Sequence, residues 1–388
     1  MQFAVALSRQ VDTDAAALEV AAAIRTRLSG TPIDLVGVFF SAHHAEGADR
    51  LAEVLTGTLR PRLLLGCSGE GVIAGAEELE TAPAITAWAA VLPDVNLHPL
   101  QSSFSPTQDQ FHLTGWPAPG VDDGTFLLLA DPFTTPVQDI LGIVDDRYPG
   151  AQAIGGLAGG GQEAGMNRLV LNDQAFEGGL VGVRLSGAVD IRPVISQGCR
   201  LIGERFVVTK AERNLIQELG GEPALGRLHA VFESLSEEER QRANRAVHLG
   251  IVIDEHRNRF ERGDFLIRNL LGADQTTGAV AVGEVVQEGQ TVQFHLRDAA
   301  SASEEFNALL AADHARHRHP PLGALMFSCC GRGQGLFGKP NHDAGTATAR
   351  LGSIPLAGFF AQGEIGPVGG RSFLHGYTAS LALFAERD

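Results

Sequence analysis

One order of elements recurs three times along this chain: strand, helix, strand, strand, with glycines closing the second strand each time. The first copy reads "IDLVGVFFS", "GADRLAEVLTGTL", "RLLLGCSGEGVIAG" and "AITAWAAVL". The second reads "TFLLLADPF", "PVQDILGIVDDRYPG", "AQAIGGLAGGG" and, after a hairpin-like excursion, "EGGLVGVRLSG". The third reads "ALMFSCCGRG", "HDAGTATARLG", "IPLAGFFAQGEIGPVGG" and "LHGYTASLALF". The glycines are Gly66 and Gly69, then Gly155 and Gly156, then Gly358 and Gly363. Apolar strands and glycine turns also coincide by chance, but the shared order favours a repeated unit. The expected fold is α/β, a two-part mixed architecture of repeated strand-helix-strand-strand units with glycine-rich turns.

Other segments frame these copies. "QFAVALS" reads as extended, followed by a helix "DAAALEVAAAIRTRLSG" with Asp12 or Thr13 as N-cap and Gly30 as its stop. Between the second and third copies, residues 188–221 read as strands with a turn. Residues 222–246 read as a helix with Pro223 in its first turn. The run "SEEERQR" reads as a solvated face or linker. Four strands with glycine turns follow, then a helix "ASASEEFNALLAADHARHRH" with Ser301 and Glu304 in capping-box spacing. The expected division is 1–235 and 236–388.

Composition narrows the function. The 388 residues hold 30 basic and 46 acidic side chains, a formal charge of -16, which argues against nucleic acid and anionic membranes as partners. The four cysteines form no C-x-x-C pair, and reduced thiols in the cytoplasm are expected. The N-terminus lacks the basic lead and apolar run of a signal peptide, and no run of eighteen apolar residues occurs.

The chemistry concentrates in "GALMFSCCGRGQGLFGKPNHD", Gly323 to Asp343. Gly333, Gly335 and Gly338 spell G-x-G-x-x-G. Lys339-Pro340 follows where a dinucleotide fingerprint needs a helix, and no acidic residue stands about 20 positions on. As nucleophiles, Cys329 or Cys330 need a base, with His342 and His375 as candidates; small cysteines at a strand end are more often core. The favoured reading is a backbone cradle for an anion along Gly331 to Gly335, where alternating glycines turn consecutive N–H groups into one concavity, with Arg332 as a planar fork for a carboxylate. Its alternative is a tight turn whose arginine faces solvent or an acid.

Glu70 in "GCSGEGVI", beside Cys67, and Glu364 in "GEIGPVGG" read as carboxylates in matching turns, for an ammonium group or acid–base work, or as exposed turn residues. Arg268 and Asn269 reach a pocket or pair on the surface. His314 and His317 share a helix face as metal ligands would, but basic residues are simply favoured in a last helical turn. His43 and His44 are adjacent, with no supporting ligand pattern. A haem site needs only one axial histidine in an apolar pocket.

These motifs carry a resemblance. "GCRLIGERFVVTKAERNLIQELGGEPAL", "GDFLIRNLLGADQTTGAVAVGEVVQEGQTVQFHLRDA", "ALMFSCCGRGQGLFG" and "IPLAGFFAQGEIGPVGGRSFLHGYTASLALF" together resemble FIST-domain proteins. Residues 1–235 look like the N-terminal FIST region and 236–388 like the FIST C region. The resemblance implies a cytoplasmic sensory module that binds a small ligand, with amino acids and related metabolites as the suggested class. Some relatives are similar to haem-containing nitric oxide sensors, so the resemblance requires no cofactor but leaves haem open. Relatives often carry a fused output module; here signalling output is expected through a partner in trans. The candidate ligand contacts are Arg332, Glu364, Arg268, Asn269, Gly331, Gly333, Cys329, Glu70, Cys67 and His375, with no residue assigned to catalysis or to a metal. The competing readings are a cysteine-dependent enzyme using Cys329 or Cys330 with His375 or Glu364, a haem gas sensor and an interaction scaffold.

Overall fold

In the computed structural model, three parallel strand pairs organise most of the chain: Leu35–Ser41 with Leu63–Gly69, Thr125–Ala130 with Gln152–Leu157, and Gly323–Cys329 with Leu356–Ala361. The structure describes every residue except 106, 108–109, 121–122, 238, 241–246, 258, 261 and 388. Parallel neighbours need a crossover, and helices Ala48–Leu59, Val137–Arg147 and His342–Leu351 supply it. An antiparallel strand flanks the first member of each pair: Ile85–Val91, Leu180–Gly187 and Ala379–Glu386. The strands are apolar on both faces because both faces are covered. Leu35, Phe39 and Leu65 face a central core shared with Leu127, Ile154, Leu325, Phe327 and Phe359. Val36, Val38 and Phe40 instead pack under helices Thr13–Arg27 and Ala48–Leu59.

In the first and third copies the third segment is not one strand, and in the second a hairpin follows it. "RLLLGCSGEGVIAG" divides at Glu70 into Leu63–Gly69 and Val72–Ala74, which belong to different sheets. The hairpin Val72–Ala74/Glu77–Leu79 pairs with Leu356–Ala361 of the third sheet. Leu169–Leu171/Gln174–Phe176 pairs with Leu63–Gly69 of the first sheet. Glu364–Val368/Arg371–His375 pairs with Gln152–Leu157 of the second. Each copy thus hands its hairpin to another copy's sheet.

Contacts divide the chain into two compact units: Met1–Ile195 with Asn307–Asp388, and Ser196–Phe306. This partition follows contacts, whereas the expected boundary at 235 follows linear order. The smaller unit is a strand barrel. Cys199–Glu212, Thr291–Arg297, Val247–Val252, Phe265–Ala273, Val280–Val282 and Leu215–Leu219 pair in turn, and the last pairs back to the first. Phe294, Leu249, Ile251 and Leu219 fill it, with Leu225 and Val231 of helix Ala224–Glu233 in the same cluster. The predicted helix over 222–246 is thus shorter, and residues 238 and 241–246 lie outside the described residues.

Two of the longer helices start on an aspartate cap. The Asp12 carboxylate accepts the Ala15 N–H at 2.8 Å. The helix Ala299–Arg316 is capped by Asp298, which accepts the Ser301 N–H at 2.7 Å, not by the expected Ser301. Among the described residues, no helix is long and apolar enough to cross a membrane.

Candidate functional site

Glycine shapes the strand pairs at one position. Gly66, Gly155 and Gly358 lie opposite Val38, Leu128 and Met326 of the parallel neighbour. A Cβ at these glycines would stand 2.1, 1.8 and 1.8 Å from those residues' carbonyl oxygens, so no side chain fits. Four residues on, the three chains turn together. Glu70 N–H donates to the Phe360 carbonyl at 3.1 Å, Gly159 N–H to Ser68 at 3.0 Å, and Gln362 N–H to Leu157 at 3.2 Å. These bonds form a closed ring joining the carboxyl ends of the three second strands. A Cβ on Gly159 would lie 3.1 Å from the Glu70 nitrogen and 3.4 Å from Gln362 Cγ, so the three equivalent positions converge. Carboxyl ends of parallel strands are where α/β sheets commonly take ligands.

The third strand pair brings most of the chemistry to this end. Cys329 is buried at the end of its strand and Cys330 is exposed. The chain turns back through an Arg332 N–H bond to the Cys329 carbonyl at 2.8 Å. Arg332 is 1% exposed, and its fork grips Asp343, Nε to Oδ2 at 2.6 Å and Nη2 to Oδ1 at 3.0 Å. His342 Nδ1 lies 2.9 Å from Asp343 Oδ1, and Ser328 Oγ donates to Oδ2 at 3.2 Å. The His342 ring stacks on Phe337 with centroids 3.4 Å apart. Burial pushes the Asp343 carboxyl up. The Arg332 charge and the bonds from His342 and Arg332 outweigh it and hold the group below the carboxylate range.

Glu364 behaves oppositely. It is 0% exposed, and Oε2 accepts the Thr378 N–H at 3.0 Å. Among the described residues no N–H or O–H donor reaches its Oε1, and the Cys329 thiol lies beside it. Burial, then the neighbouring Cys329, pushes this carboxyl well above its usual range.

The favoured cradle is thus occupied from within. The anion at the Gly333 turn is the chain's own Glu80, which accepts the Gln334 N–H at 2.9 Å, and the Arg332 fork holds Asp343, not open space. Gly331 N–H points to Cys329 Sγ at 3.4 Å. Glu70 and Glu364 are not equivalent, because the register of Gly66 with Gly358 places Gln362 in the position of Glu70 and Val72 in that of Glu364. Cys67 is buried in the central core, where burial raises its thiol. His375 lies across the ladder from Glu364, with Nε2 3.0 Å from the Gly366 carbonyl oxygen. Arg268 and exposed Asn269 belong to the barrel unit, where Arg268 pairs with Glu284 at 2.9 Å.

Three side chains of the assembled site were not among the expected contacts: Asp343, Gln362 and Cys330. Asp343 carries a signal, since a buried arginine demands an acid and Asp343 opens the next helix. Gln362 becomes visible only once the strands are in register. The larger clefts, 660 and 590 Å³, lie elsewhere, around Arg25, Gly30 and Thr58 on the helical layer, and gather no comparable polar set. His317 turns to Asp313 at 3.1 Å, and no cluster of three metal-ligating side chains occurs among the described residues.

Comparison with known proteins matches this frame. Residues 34–222 match the FIST N domain and 224–367 the FIST C domain. An uncharacterized protein of Mycobacterium tuberculosis strain H37Rv is 42% identical over 386 residues, covering 100% of both chains. An uncharacterized protein of Mycobacterium bovis is 41% identical over 389 residues, covering 100% of this chain and 99% of its own. With its strand ring, its barrel and both matched domains, the chain belongs to the FIST family, whose domains are small-ligand sensory domains.

Proposed function

We propose that this protein senses a small amine-bearing metabolite, an amino acid in the simplest case, where the strand ring gathers Glu70, Gln362 and Glu364. One observation carries the reading: Glu364 is fully buried, and among the described residues no N–H or O–H donor reaches its Oε1, which has only the Cys329 thiol beside it. A ligand ammonium placed against Glu364 offsets the burial that keeps this carboxyl raised and pairs it as the anion. Glu70 is exposed at the ring and supplies a carboxylate for the same ammonium. A ligand carboxylate finds no free fork at Arg332, so the amine is the recognised end. Signal output passes in the cytoplasm to a partner protein in trans.

Titration calorimetry against the amino acids and small diamines tests this. A saturable ligand is expected, with affinity reduced about tenfold or more in Glu70→Gln, as for a lost charge-assisted bond. If Glu70→Gln and Glu364→Gln both bind that ligand as the unaltered protein does, the reading is wrong.

A further inference from the structure

The three open sheets end in edge strands, and most of these are guarded. Gln174–Phe176 and Glu77–Leu79 have three residues each, Gln110–Thr114 and Arg371–His375 five, and Val189–Ser196 carries Asp190, Arg192 and Pro193. Shortness, charge and proline keep sheet edges from pairing. Gln2–Ser8 has none of these: "QFAVALS" is seven residues long, with no charge and no proline. It pairs on one side only, with Ile85–Val91. Ser41 N–H donates to the Ala84 carbonyl at 3.0 Å, so by ladder alternation the even residues of Ile85–Val91 face Leu35–Ser41 and the odd ones face Gln2–Ser8. Ala4 lies opposite Ala89 and Ala6 opposite Ala87, so these two spend their backbone groups on that ladder. Phe3, Val5 and Leu7 turn theirs outward, where no backbone partner occurs among the described residues. Their side chains, on the central-core side, are only half-buried. A cleft of 470 Å³ opens beside Phe3, Ala4 and Val5, bordered by Ile354, Pro355 and Arg27.

The helix Thr13–Arg27 accompanies this edge. Glu19 accepts the Ser8 hydroxyl at 2.6 Å near one end of the strand, and Arg27 stands with Phe3 and Val5 near the other, so helix and strand run in opposite directions. Glu19, Ala23 and Arg27, four residues apart, form one stripe along the helix. Glu19 and Arg27 are exposed, Ala23 is half-buried, and no acid pairs with Arg27 among the described residues. We propose that this edge is the interface of a two-fold dimer, occupied by a second copy of Gln2–Ser8 running antiparallel to the first. With Val5 on the axis, Phe3 falls opposite the second copy's Leu7, and Ala4 opposite its Ala6. Large side chains then meet on the core side, over the cleft, and small ones meet on the helix side. The outward groups of Phe3, Val5 and Leu7 pair with those of Leu7, Val5 and Phe3 of the second copy, each pair exchanging two bonds. The same axis sets the two helices antiparallel, with Ala23 against Ala23 at the centre and Glu19 against the second copy's Arg27 at either end. This self-complementarity selects a second copy over a foreign strand, which would satisfy the backbone and leave Glu19 and Arg27 without counterparts. The contact is isologous and closes at two copies. It involves neither Glu70 nor Glu364 and does not depend on the ligand reading above.

Sedimentation velocity of the full-length protein across micromolar concentrations is the test. A monomer–dimer equilibrium with no larger species is expected. Arg27→Glu sets two glutamates against each other at either end of the helix pair and is expected to weaken the dimer about tenfold. Glu19→Arg does the same with two arginines. Combining the two exchanges restores association, because each new arginine meets a new glutamate across the axis. Val5→Pro removes an outward N–H that the ladder to Ile85–Val91 does not use, and is expected to give a monomer with an unchanged circular dichroism spectrum. If Val5→Pro does not fold, the charge exchange decides by itself. Amide exchange at Phe3, Val5 and Leu7 should slow as the protein concentration rises. A monomer at every concentration, a dimer that withstands both Val5→Pro and Arg27→Glu, or charge variants whose combination fails to restore association overturns the proposal.

Discussion

Ser41, Asp131 and Cys329 hold one position in three strands of like register, yet the chemistry after them differs. In the first, Ser41 Oγ accepts the Ala84 N–H, and buried His44 meets Thr13 Oγ1 at 3.0 Å. Burial, then His43, lowers the His44 ring, so this end stays uncharged. In the second, Asp131 accepts the Phe133 and Thr134 N–H groups, the Thr134 hydroxyl and Asn167 Nδ2. Its charge is spread over local neutral donors. Only the third end holds a buried cation, Arg332, matched by a buried anion from the next helix. One backbone frame therefore tolerates three polar solutions, and only the third combines a buried ion pair with an exposed thiol.

The comparison can be broken most directly at the two aspartates. Asp343→Asn leaves Arg332 buried without its carboxylate and is expected to cost about 3–5 kcal/mol. Asp131→Asn, whose donors are neutral, should cost about 1–3 kcal/mol. Urea unfolding of both variants measures the gap, and equal losses would show that the third end is not electrostatically distinct.

A second experiment sharpens what the three ends share. Gly358→Ala drives a methyl into the Met326 carbonyl and should lose ~3 kcal/mol. Gly57 lies in the helix Ala48–Leu59 with nothing within 4 Å of an added Cβ, and Gly57→Ala should gain at most about 1 kcal/mol. Melting curves with the same sign for both would place the glycine requirement somewhere other than the strand pairs.

The smallest expected effect is a pH dependence that separates Asp343 from Glu364. The Asp343 carboxyl is depressed in the fold, so its stabilisation is complete above about pH 4 and is lost as the pH falls through its lowered value. The Glu364 carboxyl is raised, so the unfolded chain releases its proton first and stability declines as the pH climbs from about 4 towards the folded value. Glu364→Gln removes that decline. Its stability relative to the unaltered protein should be higher at pH 7 than at pH 4, and a flat difference between these pH values would contradict the assignment.

The division between what was and was not readable in the sequence is physical. The apolar runs, the crossover helices and the Asp12 cap are local patterns, set by side-chain periodicity and by donors within one turn. The hairpin exchange is not local: Val72–Ala74 pairs with Leu356–Ala361, about three quarters of the chain away, and nothing in "GVIAG" names its partner. The "GE" flanks of Glu70 and Glu364 suggested equivalence, whereas strand register pairs Glu70 with Gln362. The Arg332 fork was read as a carboxylate holder, but the carboxylate it holds is eleven positions away in its own chain. Local pattern shows what a side chain can bind, and only packing shows whether that capacity is already used.

The exchanged hairpins have a consequence for how such a protein is inherited and cut. Residues 34–222, the span of the FIST N domain, contain the hairpin Val72–Ala74/Glu77–Leu79 but not the strand Leu356–Ala361 that receives it. The second sheet, whose paired strands lie in that span, is completed by Glu364–Val368 from the far end of the chain. The linear domains are thus interlocked like links of a short chain, and neither is a separable module. Splitting the gene between them would yield two fragments with complementary exposed edges, suited to find each other and poorly suited to stand alone.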